Sequence, residues 1–302
     1  MIQFISHFLL FFFIFIFYCL GCFYCCFDGI MIHKNTFNIT YGNILYQPFL
    51  SLAINCNHVA RYITLPSVSP LQVVLLLLTL IFALVHSGMA SLRETGEKII
   101  GERAYRVLFA GISLPLALST IVYFINHRYG GVQLWDVKGV SGVHELVWLS
   151  NFVSFLFLYP STFNLLEVAA VDKPKLHMWE TGIMRITRHP QFVGQVIWCL
   201  AHTLWIGNSV AVAASVGLIG HHAFGVWNGD RRLASRYGEA FDVLKKRTSV
   251  VPFAAIIDGR QKLPDDYYKE FIRLPYITIV ALTLGAYFAH PLMQAASYRL
   301  PW

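Results

Sequence analysis

Long apolar runs separated by short polar segments dominate the sequence after residue 70. Six of these runs contain 17 to 24 residues each, close to the roughly 20 residues that an α-helix needs to cross a bilayer. They are residues 71–90, 105–126, 144–163, 191–207, 210–227 and 271–294. The pattern predicts an all-α fold, a polytopic integral membrane helical bundle with about six core transmembrane helices.

A further helix is predicted over Asp230–Arg247, in the polar segment after the fifth run. Leu233, Tyr237, Phe241 and Leu244 recur at intervals of four, four and three residues, so they form one apolar stripe. Lysine and arginine side chains occupy the opposite face. We therefore expect an amphipathic interfacial helix, which either lies on the membrane surface or covers the end of the bundle.

Residues 1–70 differ from the rest of the chain. Phe4–Tyr24 is apolar and long enough for an extra hydrophobic helix over residues 4–24, but it lacks the basic segment that begins a secretory signal. We interpret it either as a signal anchor or as the product of a wrongly assigned first exon. Residues 1–70 are thus predicted to be a targeting or poorly ordered leader, and residues 71–302 to be the membrane domain.

Composition and charge support a membrane protein. Apolar residues make up 56% of the chain and charged residues 13%, whereas about a quarter of a soluble domain is charged. In a six-span topology the loops on one side carry 18 Lys and Arg, and those on the other side carry three. Basic loops stay on the side of insertion, so topology accounts for the net charge of +7. The bilayer is the predicted partner, and nucleic acid is not.

Histidine is the chemically informative residue inside the predicted spans. They hold His86, His202, His221 and His222, with Cys199 on the same predicted helix as His202. No phosphate loop, Ser/His/Asp arrangement or regular zinc spacing is present, and Asp and Glu are nearly absent from the spans. A single histidine in a membrane often only bonds helices together, but several imidazoles facing one another in a bundle are typical of haem ligation.

Depth along the helices leaves the second ligand open. His86 lies about four residues, roughly 6 Å, from the basic end of its span, and His202 lies about eleven residues, roughly 17 Å, from the same side. His221 and His222 match the depth of His86 better than His202 does. Predicted helix ends vary by several residues, so spacing alone does not choose among them.

Two segments resemble membrane methyltransferases of the isoprenylcysteine carboxyl methyltransferase type. They are Arg188–Gly194 and Leu233–Phe241, the second of which is followed by Pro252. In that family a pair of glutamates precedes the leucine, but this chain has Gly229-Asp230-Arg231-Arg232 in the corresponding region. The resemblance implies, as an alternative function, a methyltransferase that binds S-adenosylmethionine near residues 188–194.

A second resemblance covers nearly all of residues 71–302 and is to the NnrU-type membrane domain family, in particular to its plastid carotenoid-isomerase branch. The matching segments are His86–Arg93, Gly96-Glu97, Gly101–Phe109, Ser113–Ala117, Leu176–Phe192 and Gly220–Phe224.

The NnrU resemblance implies a haem b-dependent, multi-pass plastid (chloroplast) membrane enzyme of carotenoid biosynthesis. The expected reaction is cis–trans isomerisation of the central 15-cis bond of tri-cis-zeta-carotene, with reduced haem as the active form. The resemblance implies that His86 and His202 are the axial iron ligands and that Cys199 exchanges as a ligand with redox state. An electron donor and other enzymes of the pathway are the implied partners. A non-catalytic haem-binding membrane protein is the remaining alternative.

Overall fold

The computed structural model describes residues 69–158 and 181–297. The leader predicted over residues 1–70, with its hydrophobic helix at 4–24, therefore lies almost wholly outside the described residues. The described part is helical, and its one β-bridge joins Gln133 and Asn208. Its elements are α1 (Pro70–Ser91), α2 (Arg93–Ile100), α3 (Glu102–His127), α4 (Val143–Leu158), α5 (Ile183–Ile186), α6 (Pro190–Ile206), α7 (Ser209–Tyr237), α8 (Glu239–Arg247), α9 (Ala254–Ile257), a 3-10 helix (Tyr267–Phe271) and α10 (Leu274–Ser297).

Each of the six predicted spans corresponds to a helix. By length and composition, α1, α3 and α7 are long and apolar enough to cross a membrane. Two shorter apolar helices are α4 and the stretch Tyr276–Ala289 of α10. The all-α membrane fold is thus confirmed, while the full count of six crossings stays a prediction.

The predicted helix over Asp230–Arg247 is wrong in its bounds. Helix α7 continues to Tyr237, ten residues beyond the predicted end of the fifth span. Gly238 then takes a φ of +51°, a backbone conformation that costs an L side chain energy and that ends helices. The separate helix α8 follows with Phe241 buried against the protein. The apolar stripe is real, but it is divided between two helices.

The described residues form two compact units. One contains residues 69–147, 202–221 and 290–297, and the other contains residues 148–158, 181–201 and 222–289. Helices α4, α6, α7 and α10 each contribute residues to both units.

In the first unit, α1 packs against α3. Val74, Leu75 and Leu78 of α1 form a core with Tyr123 of α3 and Val210 of α7. Helix α2 returns along α3, where the Tyr105 hydroxyl donates a hydrogen bond to the Met89 carbonyl at 2.5 Å. Burial of large apolar side chains at this three-helix contact is the main source of its stability.

In the second unit, an apolar core surrounds the first turns of α6. Ile183 and Ile186 of α5 pack with Phe157 of α4 and Val193 of α6. Arg185 forms a bidentate ion pair with Glu270. Burial alone would raise the pKa of Glu270, but hydrogen bonds from Arg185 and the Gly182 backbone N–H outweigh it and hold that pKa below its ordinary value. The start of α6 is therefore fixed by both packing and charge.

The turn between α6 and α7 is held by the segment after α3. Gly207 has a φ of +67°, and its carbonyl accepts the Leu134 N–H at 2.7 Å. The Asn208 side chain accepts the Ala211 N–H at 2.9 Å and so caps α7. The Ser209 N–H bonds the Val132 carbonyl at 3.0 Å. These bonds fix how α6 and α7 run antiparallel to each other.

Replacing Gly207 should therefore destabilise the protein. In Gly207→Ala the new Cβ would lie 2.1 Å from the Trp135 carbonyl oxygen, and the positive φ adds backbone strain, so we expect a loss of about 2 kcal/mol or more. Thermal unfolding in detergent measures the loss. The matched control is Gly225→Ala in α7, where no atom lies within 4 Å of the added Cβ. This control should range from neutral to about 1 kcal/mol more stable. Equal effects of the two substitutions would contradict the role of the turn.

Candidate functional site

In the first unit, the ring of His86 is surrounded by three other aromatic rings, and the four rings come from three helices. The His86 ring lies 5.1 Å from Phe82 of α1, 4.8 Å from Phe109 of α3 and 5.5 Å from His221 of α7, measured between centroids. Phe82 also contacts His221, at 5.0 Å. We call these four residues the His86 cluster. Its two imidazoles are predicted site residues or candidates, whereas the phenylalanines that enclose them were not identified from sequence.

The environment of His86 is unfavourable for a polar ring. Its Nδ1 atom is buried and has no hydrogen-bond partner among the described residues. A buried polar atom left unsatisfied costs about 1–3 kcal/mol. A ligand that engages the imidazole would remove that cost, and an electron-pair acceptor such as a metal suits a neutral imidazole.

Close packing of α7 on α1 explains why His221 reaches His86. Gly217 lies one turn before His221, and a Cβ at Gly217 would come within 3.0 Å of the Thr79 methyl group. The Thr79 hydroxyl bonds the Leu75 carbonyl at 2.8 Å. Its hydrogen-bonding capacity is thus met within α1. The contact between a glycine and a small side chain lets the two helices approach closely, as is typical of membrane helix pairs.

His202 lies on α6, buried in the same unit. The adjacent Thr203 is hydrogen bonded to Ser215 of α7 at 2.6 Å between hydroxyl oxygens. His202 is one residue from this bond, whereas His221 is six residues past it. The level of His202 along the hairpin is therefore about five residues, or roughly 7 Å, from that of His221. The structure brings His86 to His221, and the predicted His86–His202 ligand pair stays a prediction.

Cys199 is fully buried on α6, in the second unit. The Gln195 side chain, also fully buried, donates a hydrogen bond from Nε2 to its sulfur at 3.3 Å. Gln195 was not predicted as a site residue, although its position four residues before Cys199 puts the two side chains on one face of a helix. His222 is half-buried on α7 in this second unit.

The residues around His86 can be compared with what a haem cofactor requires. Within residues 69–158 and 181–297, no three His, Cys, Asp or Glu side chains converge as a protein-only metal site requires. Haem needs only one or two axial ligands from the protein, because the porphyrin supplies the other four nitrogens. The half-buried imidazole of His86, whose buried Nδ1 has no hydrogen-bond partner among the described residues and whose ring contacts two phenylalanines, fits that requirement.

The segment that resembles methyltransferases forms a polar clamp. Arg188 makes a bidentate ion pair with Asp230, at 2.7 Å for the shortest contact, and His189 Nε2 lies 2.7 Å from the same carboxylate. The Arg188 backbone N–H bonds the Ser249 carbonyl at 2.9 Å. Asp230 stands in the region where the methyltransferases have their glutamates. Here it satisfies the arginine and the histidine and joins the start of α6 to α7.

Comparison with known proteins identifies the family. The sequence model described as NnrU protein matches residues 74–297. This chain belongs to the NnrU family. No solved structure matches this NnrU protein significantly.

Two curated relatives of this NnrU protein carry a functional name. It is 84% identical over 231 residues to "15-cis-zeta-carotene isomerase, chloroplastic" of Zea mays. It is 77% identical over 231 residues to the protein of the same name of Arabidopsis thaliana. Each match covers 76% of this chain and 63% of the relative. The chain thus spans a little under two thirds of the length of these relatives.

The packing at Gly217 predicts how the His86 cluster responds to mutation. In Gly217→Leu the larger side chain should push α7 away from α1 at Thr79, separate His221 from His86, and cost about 1–3 kcal/mol. Spectra of protein carrying isotopically labelled histidine should show the His86 and His221 signals shifting, with His86→Asn and His221→Asn used for assignment. Gly225→Leu, at an open position on the same helix, should leave both signals in place. Unshifted signals in Gly217→Leu would refute this account of the cluster.

Proposed function

We propose that this chain is a 15-cis-zeta-carotene isomerase, which converts the central 15-cis bond of tri-cis-zeta-carotene to trans. The observation that carries the proposal is the identity of 84% and 77% over 231 residues to two proteins of that name. At that identity, most of the 231 matched positions carry the same residue as in those two proteins. Since both relatives are named chloroplastic, we also propose a multi-pass location in a plastid membrane.

The membrane fold suits this substrate. A carotene is a long apolar polyene that dissolves in the bilayer, so an enzyme acting on it gains from a site that opens to lipid. Helices α1, α3 and α7 expose large apolar side chains, among them Leu84, Val107 and Val216. The unidentified binding cleft is proposed to lie between helices.

We further propose that haem b is the cofactor. His86 and His202 would hold its iron, and His221 is the competing candidate because its ring contacts that of His86. Bound haem would supply a Lewis-acidic iron that draws π electrons from the polyene and so lowers the order of the bond that rotates. Isomerisation involves no net oxidation or reduction of the substrate. The proposed electron donor would serve only to keep the haem reduced.

The protein side chains have two proposed tasks. Phe82 and Phe109 exclude water from the His86 imidazole and keep it in place. Cys199 and His202 lie three residues apart on α6 and offer the iron alternative ligands on one helix. A hydrogen bond to a ligating sulfur weakens its electron donation, so Gln195 is proposed to decide how readily Cys199 gives way on reduction.

The isomerase proposal is tested by expressing the full chain in bacteria that accumulate tri-cis-zeta-carotene. Pigment chromatography should show the di-cis isomer, and the purified protein should carry a Soret band. Binding of haem without conversion would identify a non-catalytic haem protein and contradict the enzyme. Binding of S-adenosylmethionine that is lost in Arg188→Ala, with no haem, would favour the methyltransferase alternative.

The proposed iron ligands are tested by single substitutions on α6 and α7. His202→Ala should lose most of its haem, measured as the haem to protein ratio, while His221→Ala should retain haem. The opposite result, with haem kept in His202→Ala and lost in His221→Ala, would assign the ligand to His221. His222→Ala is the control and should retain haem, because His222 does not belong to the His86 cluster.

The role of Gln195 is tested by a double-mutant cycle. Cys199→Ala should alter the ferric optical spectrum more than the ferrous one. Gln195→Leu should shift the ferric spectrum as well, because the sulfur loses its hydrogen bond. In the Cys199→Ala background Gln195→Leu should have no further effect. If Cys199→Ala leaves the spectra of both redox states unchanged, the ligand-exchange proposal is wrong.

A further inference from the structure

A short loop in the second unit presents large apolar side chains to its surroundings. Val251, Phe253 and Ile257 are 66%, 50% and 81% exposed. We call residues 251–257 the interfacial loop. It follows the basic end of α8 and contains the single turn of α9. Connecting segments between helices are usually polar, so three exposed apolar side chains within seven residues are unusual.

The interfacial loop is held in one conformation. The Ser249 hydroxyl donates to the Val251 carbonyl at 2.8 Å and accepts the Ala255 N–H at 3.0 Å. Ala255 is fully buried. Phe253 has a φ of +64°, which costs a side chain about 1–2 kcal/mol. The surrounding hydrogen bonds hold the backbone in this strained conformation. In that conformation the apolar side chains are exposed.

Backbone hydrogen bonds place the loop at the start of apolar helix α6. The Phe253 N–H bonds the Ile186 carbonyl at 3.0 Å, and the Arg188 N–H bonds the Ser249 carbonyl at 2.9 Å. The Thr187 hydroxyl donates to the Val250 carbonyl at 2.8 Å. Helix α6 begins at Pro190. The loop is therefore located where a polar segment gives way to an apolar helix.

Basic side chains flank the loop on both sides. Lys245, Lys246 and Arg247 are exposed in the last turn of α8. Arg260, on the far side of the loop, bonds the Lys246 and Thr248 carbonyls at 3.0 and 3.2 Å. Asp258 pairs with Arg260 at 2.7 Å. The last turn of α8 carries a run of three cations, and its first turn carries Glu239 and Asp242. Positive charge beside exposed apolar groups is the combination that binds anionic lipid.

We propose that the interfacial loop inserts Val251, Phe253 and Ile257 into the headgroup region of a bilayer leaflet, and that the basic turn of α8 binds anionic headgroups there. Each inserted side chain gains by leaving water, and each cation gains from the negative surface potential. The hydrogen bonds to residues 186–188 transmit this anchoring to α6. The depth at which α6 starts in the bilayer is thereby fixed. The anchoring does not depend on haem or on isomerase activity.

The proposal is tested with the photo-crosslinking residue p-benzoylphenylalanine in the full chain, reconstituted in nanodiscs of phosphatidylcholine and phosphatidylglycerol. Placed at Phe253 or at Ile257, it should form phospholipid adducts detectable by mass spectrometry. Placed at Phe241, which is 1% exposed in the same unit, it should react within the protein. Adducts at 253 and 257 that are only with protein would overturn the insertion and indicate a protein partner instead.

The binding of anionic headgroups by the basic turn of α8 is tested through the lipid composition of the adducts. Adducts at position 253 should contain phosphatidylglycerol at several times its share of the bilayer. The triple substitution Lys245→Gln, Lys246→Gln and Arg247→Gln should bring that share down to the bulk ratio without abolishing the adducts. Adducts that follow the bulk lipid ratio in the unsubstituted chain would overturn the anionic preference.

Discussion

The close contact of α7 with α1 at Gly217 and Thr79 is the constraint on which the candidate site depends. It brings the His221 ring against His86, in a position where α3 adds Phe109. The rings are enclosed because the helices are close, and the unsatisfied Nδ1 of His86 is a consequence of that enclosure. An apolar bundle that buries an imidazole in this way is unfavourable until a ligand engages the ring. The proposed cofactor chemistry follows from that energetic requirement.

Two other contacts control where α6 lies, and α6 carries both Cys199 and His202. The turn at Gly207 and Asn208 sets its end, and the Arg188–Asp230–His189 clamp sets its beginning. This clamp also gives a physical account of the likeness to membrane methyltransferases. An arginine and a histidine before a proline begin a helix, and a carboxylate on a neighbouring helix bonds both side chains. That arrangement is architectural and serves more than one kind of chemistry.

Much of this organisation could be predicted from sequence. The apolar runs are long, so both ends of α1, α3 and α6 and the start of α7 were placed within three residues, whereas α7 continues ten residues beyond its predicted end. The break at Gly238 was missed because an apolar stripe continues across it in the sequence. The contact between His86 and His221 could not be predicted, because it depends on the rotation of each helix and on a glycine opposite a threonine. The spacing of residues in the sequence gives neither the rotation of a helix nor the residue that faces it on another helix. The hydrogen bond from Gln195 to Cys199 was within reach of a simple helical-spacing argument.

The central claim is that His86 is the proposed haem ligand around which the site is built. Removing its side chain and supplying free imidazole in its place tests this claim most directly. His86→Gly, purified in the same membrane mimic as the native chain, should bind haem weakly and show an altered Soret band. Added imidazole should restore the native ferric and ferrous spectra, because it fills the space left between Phe82, Phe109 and His221. His222→Gly, treated in the same way, should not respond. A native spectrum in His86→Gly without imidazole would contradict the claim.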